Sequence, residues 1–311
     1  MNETVACLIC LRPSAEAYHA RCLKALLATT KLPVVAIAIG EMEVLGMQMV
    51  RHTCFSGVQR KLSVSPSDDR AAIVPANPGR YILKPQSRIF PAVPENEHLT
   101  MRLAEHAGVA TPPNGLFRMR DGSFCYIVKR FDRTADGRKF KLEDFCQLAD
   151  LPPRDKYSGS AERCAQLVRR YGASPLLELA RFYRLVLFSW WTGNEDLHRK
   201  NLALLEAEPG EYRLSPAFDL VSSALYLPDR ELALPVQGKD RHVTRRDWLE
   251  FGKTCGLPER AVAGIHDEVI ATHPIALELL GASPLPPDLA ERYAAILDDR
   301  TARLRGSPPD R

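Results

Sequence analysis

A long apolar stretch opens at Ser174-Pro175 and runs through Leu176, Leu177, Leu179, Ala180, Tyr183, Leu187 and Trp190. It is too apolar for a surface helix and predicts a buried spine for the second half of the chain. Trp190-Trp191-Thr192 then delivers the backbone into Gly193-Asn194-Glu195-Asp196-Leu197-His198-Arg199-Lys200-Asn201, and Leu202-Ala203-Leu204-Leu205 leaves it as a strand. Phe218-Asp219-Leu220 follows eighteen residues after Asn201, past a short hairpin. A loop anchored in this way makes Asp196, Asn201 and Asp219 one set.

Holding metal ions against a triphosphate and taking a proton from a hydroxyl requires such a set. Mg²⁺ takes oxygen ligands, usually one or two carboxylates with phosphates and water. On this reading Asp196 lies under the substrate hydroxyl as catalytic base, and Asn201 and Asp219 carry metal. The competing reading is a solvated loop whose Asn and Asp residues cap helices. Delivery from a buried helix favours the first.

The first half carries strand signals in Leu62-Ser63-Val64-Ser65, Tyr81-Ile82-Leu83-Lys84 and Phe124-Cys125-Tyr126-Ile127-Val128. Between them Glu97 to Ala107 reads as a helix with Leu99, Leu103 and Ala107 on one face, ended by Gly108. From about Leu142 the pattern turns helical, and Leu289 to Leu304 is a final amphipathic helix. The expected fold class is α+β, a bilobal protein-kinase-like fold with a sheet-rich N-lobe, a helical C-lobe and a cleft between them. The expected boundaries are an N-terminal segment over 1–50, the N-lobe over 51–135 and the C-lobe over 136–311.

Lys84 closes a strand ahead of a helix that begins with Glu95 and Glu97, so it can reach phosphates as a point charge with a carboxylate to pair it. Ser56-Gly57-Val58-Gln59-Arg60-Lys61-Leu62 is a turn into a strand. Gly57 lets backbone amides approach an anion, and Lys61 adds charge. With one glycine, the stretch by itself is a hairpin entry rather than a phosphate loop.

Cys7-x2-Cys10 is followed by His19-x2-Cys22, four zinc-competent side chains within sixteen residues (7–22). Tetrahedral Zn²⁺ takes four N/S ligands, and paired x2 spacings are what a knuckle supplies. The alternative places Cys7 and Cys10 in an apolar strand. A zinc ion here would be structural, replacing core that a short N-terminal lobe lacks.

Seven segments in order resemble the motifs of the HipA family of bacterial serine/threonine protein kinases, the toxins of toxin–antitoxin systems. They are 56–62, Tyr81-Ile82-Leu83-Lys84-Pro85, Glu95-Asn96-Glu97-His98, Val128-Lys129-Arg130-Phe131-Asp132-Arg133, Glu143-Asp144-Phe145-Cys146-Gln147, 193–201 and 218–220. The resemblance spans about residues 50 to 230. It implies that Asp196 is the base, that Asn201 and Asp219 bind Mg²⁺, and that Lys84 binds the α/β-phosphates of ATP. Gly57, Val58, Gln59, Lys61 and Lys200 would also face the nucleotide, with His198 and Phe218 beside it. The hinge around Lys129 and Phe131 would hold adenine through backbone groups.

The family's targets are aminoacyl-tRNA synthetases, whose phosphorylation stops translation. Only about 50 residues precede Ser56-Gly57, a shortness that resembles the HipT branch. There a separate small protein supplies the missing subdomain and can act as antitoxin; the resemblance implies a HipS-like protein, a HipB-like DNA-binding protein or both as antitoxin partners, so contact with DNA would be indirect. The HipT pattern Ser-Ile-Ser-Gly is here Cys54-Phe55-Ser56-Gly57, which leaves Ser56 as the site open to autophosphorylation. A phosphate there would repel those of ATP and switch the enzyme off.

At 311 residues, 45% apolar and 26% charged, the chain has the composition of an ordinary globular protein large enough for two cored lobes. A net charge of +4 spread along the chain makes no case for a dedicated nucleic-acid surface. No apolar run of about 18 residues predicts a membrane span. Eight scattered cysteines and the absence of a signal peptide suggest a reduced cytoplasmic protein. Cys125, Cys146, Cys164 and Cys255 read as small buried hydrophobes, and Arg241-His242-Val243-Thr244-Arg245-Arg246 as a solvated basic face. Two other functions stay open at this point. One is a small-molecule or lipid kinase, which would share Asp196, Asn201 and Asp219; the other is a catalytically idle module that sequesters a partner.

Overall fold

A computed structural model describes residues 4–42, 60–134 and 137–306, and its contacts group the chain into two units. The first holds residues up to Arg102, Pro112–Lys139 and Gly281–Pro286. It starts with a small hairpin, β1 (Val5–Ala6) and β2 (Pro13–Ser14), and a short helix, α1 (Ala20–Leu27). Then come β3 (Val34–Val35), β4 (Leu62–Pro66), β5 (Ala72–Pro75), β6 (Tyr81–Pro85), the helix α2 (Val93–His106), β7 (Asn114–Arg118) and β8 (Phe124–Lys129). Among the described residues six strands form one sheet in the order β3-β5-β4-β6-β8-β7, antiparallel except for β3 against β5.

The hairpin and α1 share a core with the sheet. Cys7, Ile9, Tyr18, Leu23, Leu26 and Leu27 pack in one cluster with Leu62, Val64, Leu83, Phe117 and Ile127. Tyr81 and Tyr18 are buried by body and satisfied by tip, donating to the carbonyls of Leu26 and Leu116 at 2.6 and 3.1 Å.

Helix α2 begins four residues earlier than the sequence pattern suggests, because Pro94 sits in the first turn, where its missing N–H costs nothing. It is also not amphipathic. Every residue from Ala92 to Ala104 is buried, including Glu95, Asn96, Glu97, His98 and Arg102. Those polar groups are tolerable because they are partnered. Gln86 Nε2 donates to both oxygens of Glu95 at 2.8 Å, and Thr100 donates to Asn96 at 3.2 Å.

The second unit holds Leu103–Thr111, Phe140–Leu280 and the chain from Pro287. Its elements are β9 (Leu142–Asp144), α3 (Phe145–Leu148), α4 (Ala161–Tyr171), α5 (Pro175–Trp191), β10 (Ala203–Glu208), β11 (Glu211–Leu214), α6 (Arg245–Thr254), α7 (Glu259–Ala282) and α8 (Pro287–Arg305). It is mainly helical, as expected, yet it contains a three-stranded antiparallel sheet in the order β11-β10-β9. The three-residue β9 owes its form to pairing with β10 rather than to a pattern of its own.

Helix α5 is the buried spine from Glu178 onward: Phe182, Tyr183, Leu187, Phe188, Trp190 and Trp191 are all inaccessible. Its first turn departs from expectation. Leu176 and Leu177 are 54% and 52% exposed and line an open apolar groove of about 580 Å³ with Leu257, Pro258 and Ala261. No helix among the described residues is long and apolar enough to cross a membrane. Cys125, Cys146, Cys164 and Cys255 are buried free thiols. The basic stretch 241–246 is only partly a solvated face: Val243 is buried, Thr244 caps α6, and Arg245 donates to the Leu304 carbonyl at 2.8 Å.

Candidate functional site

The loop after α5 is built by its own backbone and by short polar side chains. Gly193 has φ +72°, and a Cβ there would stand 2.8 Å from Ser222 Oγ, so both conformation and space require glycine. The Asn194 N–H donates to the Ser189 carbonyl at 2.8 Å, and Asn194 Oδ1 accepts the Asp196 N–H at 3.1 Å. The His198 N–H donates to the Asp196 carbonyl at 2.8 Å, and the Asn201 N–H to that of His198 at 2.9 Å. Asn201 Nδ2 then reaches back to the Asp196 carbonyl at 3.2 Å. With its amide nitrogen committed to the loop, Asn201 keeps Oδ1 as the oxygen it can offer to a cation.

Glu195 fixes the other side of the loop. Its N–H donates to Ser223 Oγ at 2.8 Å, and its carboxylate accepts the N–H groups of Asp229 and Arg230 at 3.2 and 3.5 Å. Arg300 lies 3.6 Å away and also donates to the Trp190 carbonyl. Burial raises the pKa of Glu195, and these donors only partly offset it.

Asp196 is the exposed member of the loop, its side chain 52% accessible. The Tyr157 hydroxyl donates to its Oδ1, and the Tyr157 ring stands edge-on to His198 at 5.1 Å. Lys156 Nζ lies 2.9 Å from His198 Nε2, which as acceptor puts the ring proton on Nδ1. That Nδ1 is buried without a hydrogen-bond partner among the described residues. Burial lowers the pKa of His198, with Asp196 and Asp219 opposing, so the ring is neutral near pH 7. Lys200 donates to Asp144 Oδ2 at 2.9 Å, and Asp144 in turn caps α3 through Cys146 and Gln147. The structure thus gives Lys200 a bracing contact.

Asp219 adopts φ +56° between buried Ala217 and Leu220. A non-glycine residue in the left-handed region is strained by roughly 1–3 kcal/mol and persists where its surroundings impose it, often at functional sites. Asp196, Asn201 and Asp219 together offer only oxygen to a cation, which suits Mg²⁺.

In the sheet-rich unit Lys84 Nζ lies 2.6 Å from Glu97 Oε1, with side chains 8% and 1% exposed. Lys84 pairs across the strands with Tyr126 and sits 5.7 Å from its ring centroid. Of the two glutamates expected to meet Lys84, Glu97 does so and Glu95 turns to Gln86. Lys61 precedes β4 and is half-buried. Lys129 ends β8 with its N–H given to the Pro113 carbonyl at 2.8 Å, so its amide is engaged within the sheet; Phe131 follows, half-buried. Cys54, Ser56, Gly57, Val58 and Gln59 lie outside the described residues.

Four groups escaped the sequence reading. Lys156 and Tyr157 lie in the turn before α4, with no spacing that ties them to Asp196. Arg303 makes a two-pronged contact to Glu231 at 2.9 and 2.8 Å, and Glu231 also accepts from the Trp190 indole at 2.9 Å. Nothing local in the sequence marks that pairing. At the N-terminus the ligand atoms of Cys7, Cys10, His19 and Cys22 all lie within 4.8 Å of one another. The two cysteines sit in the turn of the β1–β2 hairpin rather than in a strand.

The profile of the HipA-like C-terminal domain matches residues 53–276. The chain belongs to that family. Y4mE of Sinorhizobium fredii, named a presumptive kinase, is 32% identical over 215 residues, covering 65% of this chain and 50% of the relative. A presumptive kinase of Haemophilus influenzae is 27% identical over 237 residues, covering 67% and 68%. The chain thus spans about half to two thirds of the length of these relatives. Among solved structures, HipA of Shewanella oneidensis, determined with HipB and operator DNA, aligns over 89% of this chain and 73% of its own at a TM-score of 0.70 and 20% identity. The Helicobacter pylori proinflammatory kinase CtkA aligns over 81% and 91% at 0.56 and 14%. At these identities the likeness is one of fold: α+β and kinase-like, with a sheet-rich part and a helical part.

Proposed function

We propose that this HipA-like chain is an ATP- and Mg²⁺-dependent serine/threonine protein kinase, the toxin of a HipBST-like toxin–antitoxin system. The observation that carries the reading is the loop itself. Asp196 stands exposed at its tip, Asn201 is locked to the Asp196 backbone with Oδ1 to spare, and Asp219 is held in a strained conformation. The buried Lys84–Glu97 pair supports it, as a fixed cation suited to the α/β-phosphates.

In this reading Asp196 accepts the proton of the substrate hydroxyl, and Asn201 and Asp219 hold Mg²⁺. The metal, when bound, neutralises charge on the phosphate oxygens. His198, neutral and braced by Lys156, lines the nucleotide with Phe218; Lys129 and Phe131 flank the adenine. Residues 51–135 act as N-lobe and 136–311 as C-lobe. An aminoacyl-tRNA synthetase as target, HipS-like or HipB-like antitoxins as partners, and self-inhibition by phosphate on Ser56 rest on the family resemblance. The Shewanella relative's complex with HipB and DNA supports an antitoxin partner.

Incubation with labelled ATP, alone and with a cell lysate, beside an Asp196→Asn protein, tests this. Label in protein bands with the parent chain alone supports the proposal. Label confined to small molecules points to a small-molecule or lipid kinase, and no label at all to an idle partner-binding module.

A further inference from the structure

The N-terminal cluster shares no residue with the proposed phosphoryl-transfer site. Cys7 and Cys10 occupy the turn of the β1–β2 hairpin. Cys7 N–H donates to the Arg12 carbonyl at 3.0 Å, and Leu11, at φ +57°, donates back to the Cys7 carbonyl at 2.8 Å. His19 and Cys22 come from the start of α1, where the N–H groups of Cys22 and Leu23 bond the His19 carbonyl at 3.0 and 3.1 Å. Two ligands from a hairpin turn and two from the first turn of a helix converge without help from any distant segment.

The atoms are also set for a cation. His19 Nε2 lies 3.1 Å from the Pro13 carbonyl, so it carries the proton and donates. That leaves Nδ1 as a lone pair, 3.4 Å from Cys10 Sγ and 3.8 Å from Cys22 Sγ. A tetrahedral site with Zn–S of about 2.3 Å and Zn–N of about 2.0 Å spaces its ligand atoms by about 3.5–3.8 Å. The His19 N–H points at Cys7 Sγ from 3.4 Å, a backbone donor that a thiolate can use. A second interaction fixing the ring tautomer is the usual companion of a metal-bound imidazole.

We propose that Cys7, Cys10, His19 and Cys22 bind one Zn²⁺ through three thiolates and one imidazole, and that this ion clamps the N-terminal hairpin to helix α1 and so holds Leu8 and Ile9 against strand β7 and helix α2. Three sulfurs and one nitrogen in a closed tetrahedral set select zinc over hard cations. Binding releases three thiol protons and leaves no position for a substrate, so the site is structural.

The clamp has a definite load. Leu8 and Ile9, between the two cysteines, offer their carbonyls to the Leu116 N–H at 2.8 Å and to His98 Nε2 at 3.1 Å. Gly115 of β7 is close enough that a Cβ would stand 2.8 Å from Ile9 Cγ1. His98 adjoins Glu97, the partner of Lys84. The knuckle therefore buttresses the helix that carries Glu97 to Lys84.

Metal analysis of untagged protein, purified without chelator from zinc-supplemented cells, tests the site directly. About one zinc per chain is expected. Cys10→Ser and Cys22→Ser should hold less than about a tenth of that, while Cys146→Ser keeps the full amount. Substituting Co²⁺ should give the visible absorption of a tetrahedral thiolate site, a readout that needs no variant to fold. Chelator-treated protein should melt at a lower temperature. A parent chain with less than about a tenth of a zinc whose Cys7, Cys10 and Cys22 alkylate readily while folded overturns the proposal, as does iron in place of zinc. None of these readouts depends on phosphoryl transfer.

Discussion

The Tyr157 hydroxyl donates to Oδ1 of Asp196, so the carboxylate at the tip of the loop is held by a side chain from a separate turn. Lys156 Nζ and the Arg230 guanidinium lie 4.8 and 5.2 Å from the centroid of the same ring, which keeps the phenol in place. Asp196 is accessible yet not free to wander, the condition a positioned base must meet.

With Asp196 as the base proposed above, removing only the hydroxyl should cost positioning and spare the proton transfer itself. Tyr157→Phe is expected to slow phosphoryl transfer roughly tenfold, the equivalent of one hydrogen bond of about 1–1.5 kcal/mol. Asp196→Asn should cost on the order of 10²–10⁴. Initial rates with labelled ATP separate the two. A Tyr157→Phe protein as fast as its parent would show that the hydrogen bond has no part in turnover.

Lys84 and Glu97 form a buried pair, and truncating one partner takes a close countercharge from the other. Glu97→Leu should lower stability by about 3–5 kcal/mol and weaken ATP binding. The double variant Lys84→Met with Glu97→Leu should regain much of the stability and none of the affinity. Urea melts and nucleotide titrations check the two halves. Equal stability in the single and double variants would remove the pair from the account.

Glu231 gives the second unit an acid limit. Burial would raise its pKa, but Arg303 and the Trp190 indole override it and bring it down to about 2. With an unfolded value near 4.3, its contribution is present above that pH and is lost as pH falls toward 2. Glu231→Gln should lower the melting temperature at pH 7 and flatten its decline on the acid side. A decline as steep as the parent's would assign the acid limit to other groups.

His266 acts in a higher window. It is buried against Tyr183, whose hydroxyl lies 2.7 Å from Nε2, and burial takes its pKa down to about 4. The unfolded chain binds a proton near pH 6.5 that the folded chain refuses, so stability falls as pH drops from about 6.5 to 4. From pH 7 to 5 this group alone accounts for on the order of 2 kcal/mol. Chemical denaturation of the parent and of His266→Gln at both values tests it, the variant losing markedly less between them.

Much of this was legible in the sequence because it was local. The spacing from Asp196 to Asn201 lies within one loop, Lys84 sits on a strand with its own apolar rhythm, and the two x2 pairs, Cys7 with Cys10 and His19 with Cys22, are adjacent in the chain. What was not legible depended on long-range partners. Helix α2 could be read only as one-faced, since nothing local says that Gln86 and the Ile9 carbonyl will satisfy Glu95 and His98 inside the core. Leu176 and Leu177 looked like core because hydropathy cannot distinguish the exposed first turn of α5 from its buried remainder. Tyr157 joins Asp196 across 39 residues, and no periodicity spans that gap.

The reach of Arg300 sets an order of events during synthesis. It donates to the Trp190 carbonyl from 110 residues further along the chain and lies 3.6 Å from Glu195. At about 5–20 residues per second, a ribosome needs on the order of 5–20 s to make that length after Trp190 appears. Throughout that interval the loop that carries Asp196 lacks its arginine tie. For the toxin kinase proposed above, a nascent chain would stay inactive toward its target until Arg300 has been made. A chain stopped at residue 290, which also lacks the buried Tyr293, Leu297 and Leu304, should accordingly transfer no phosphate.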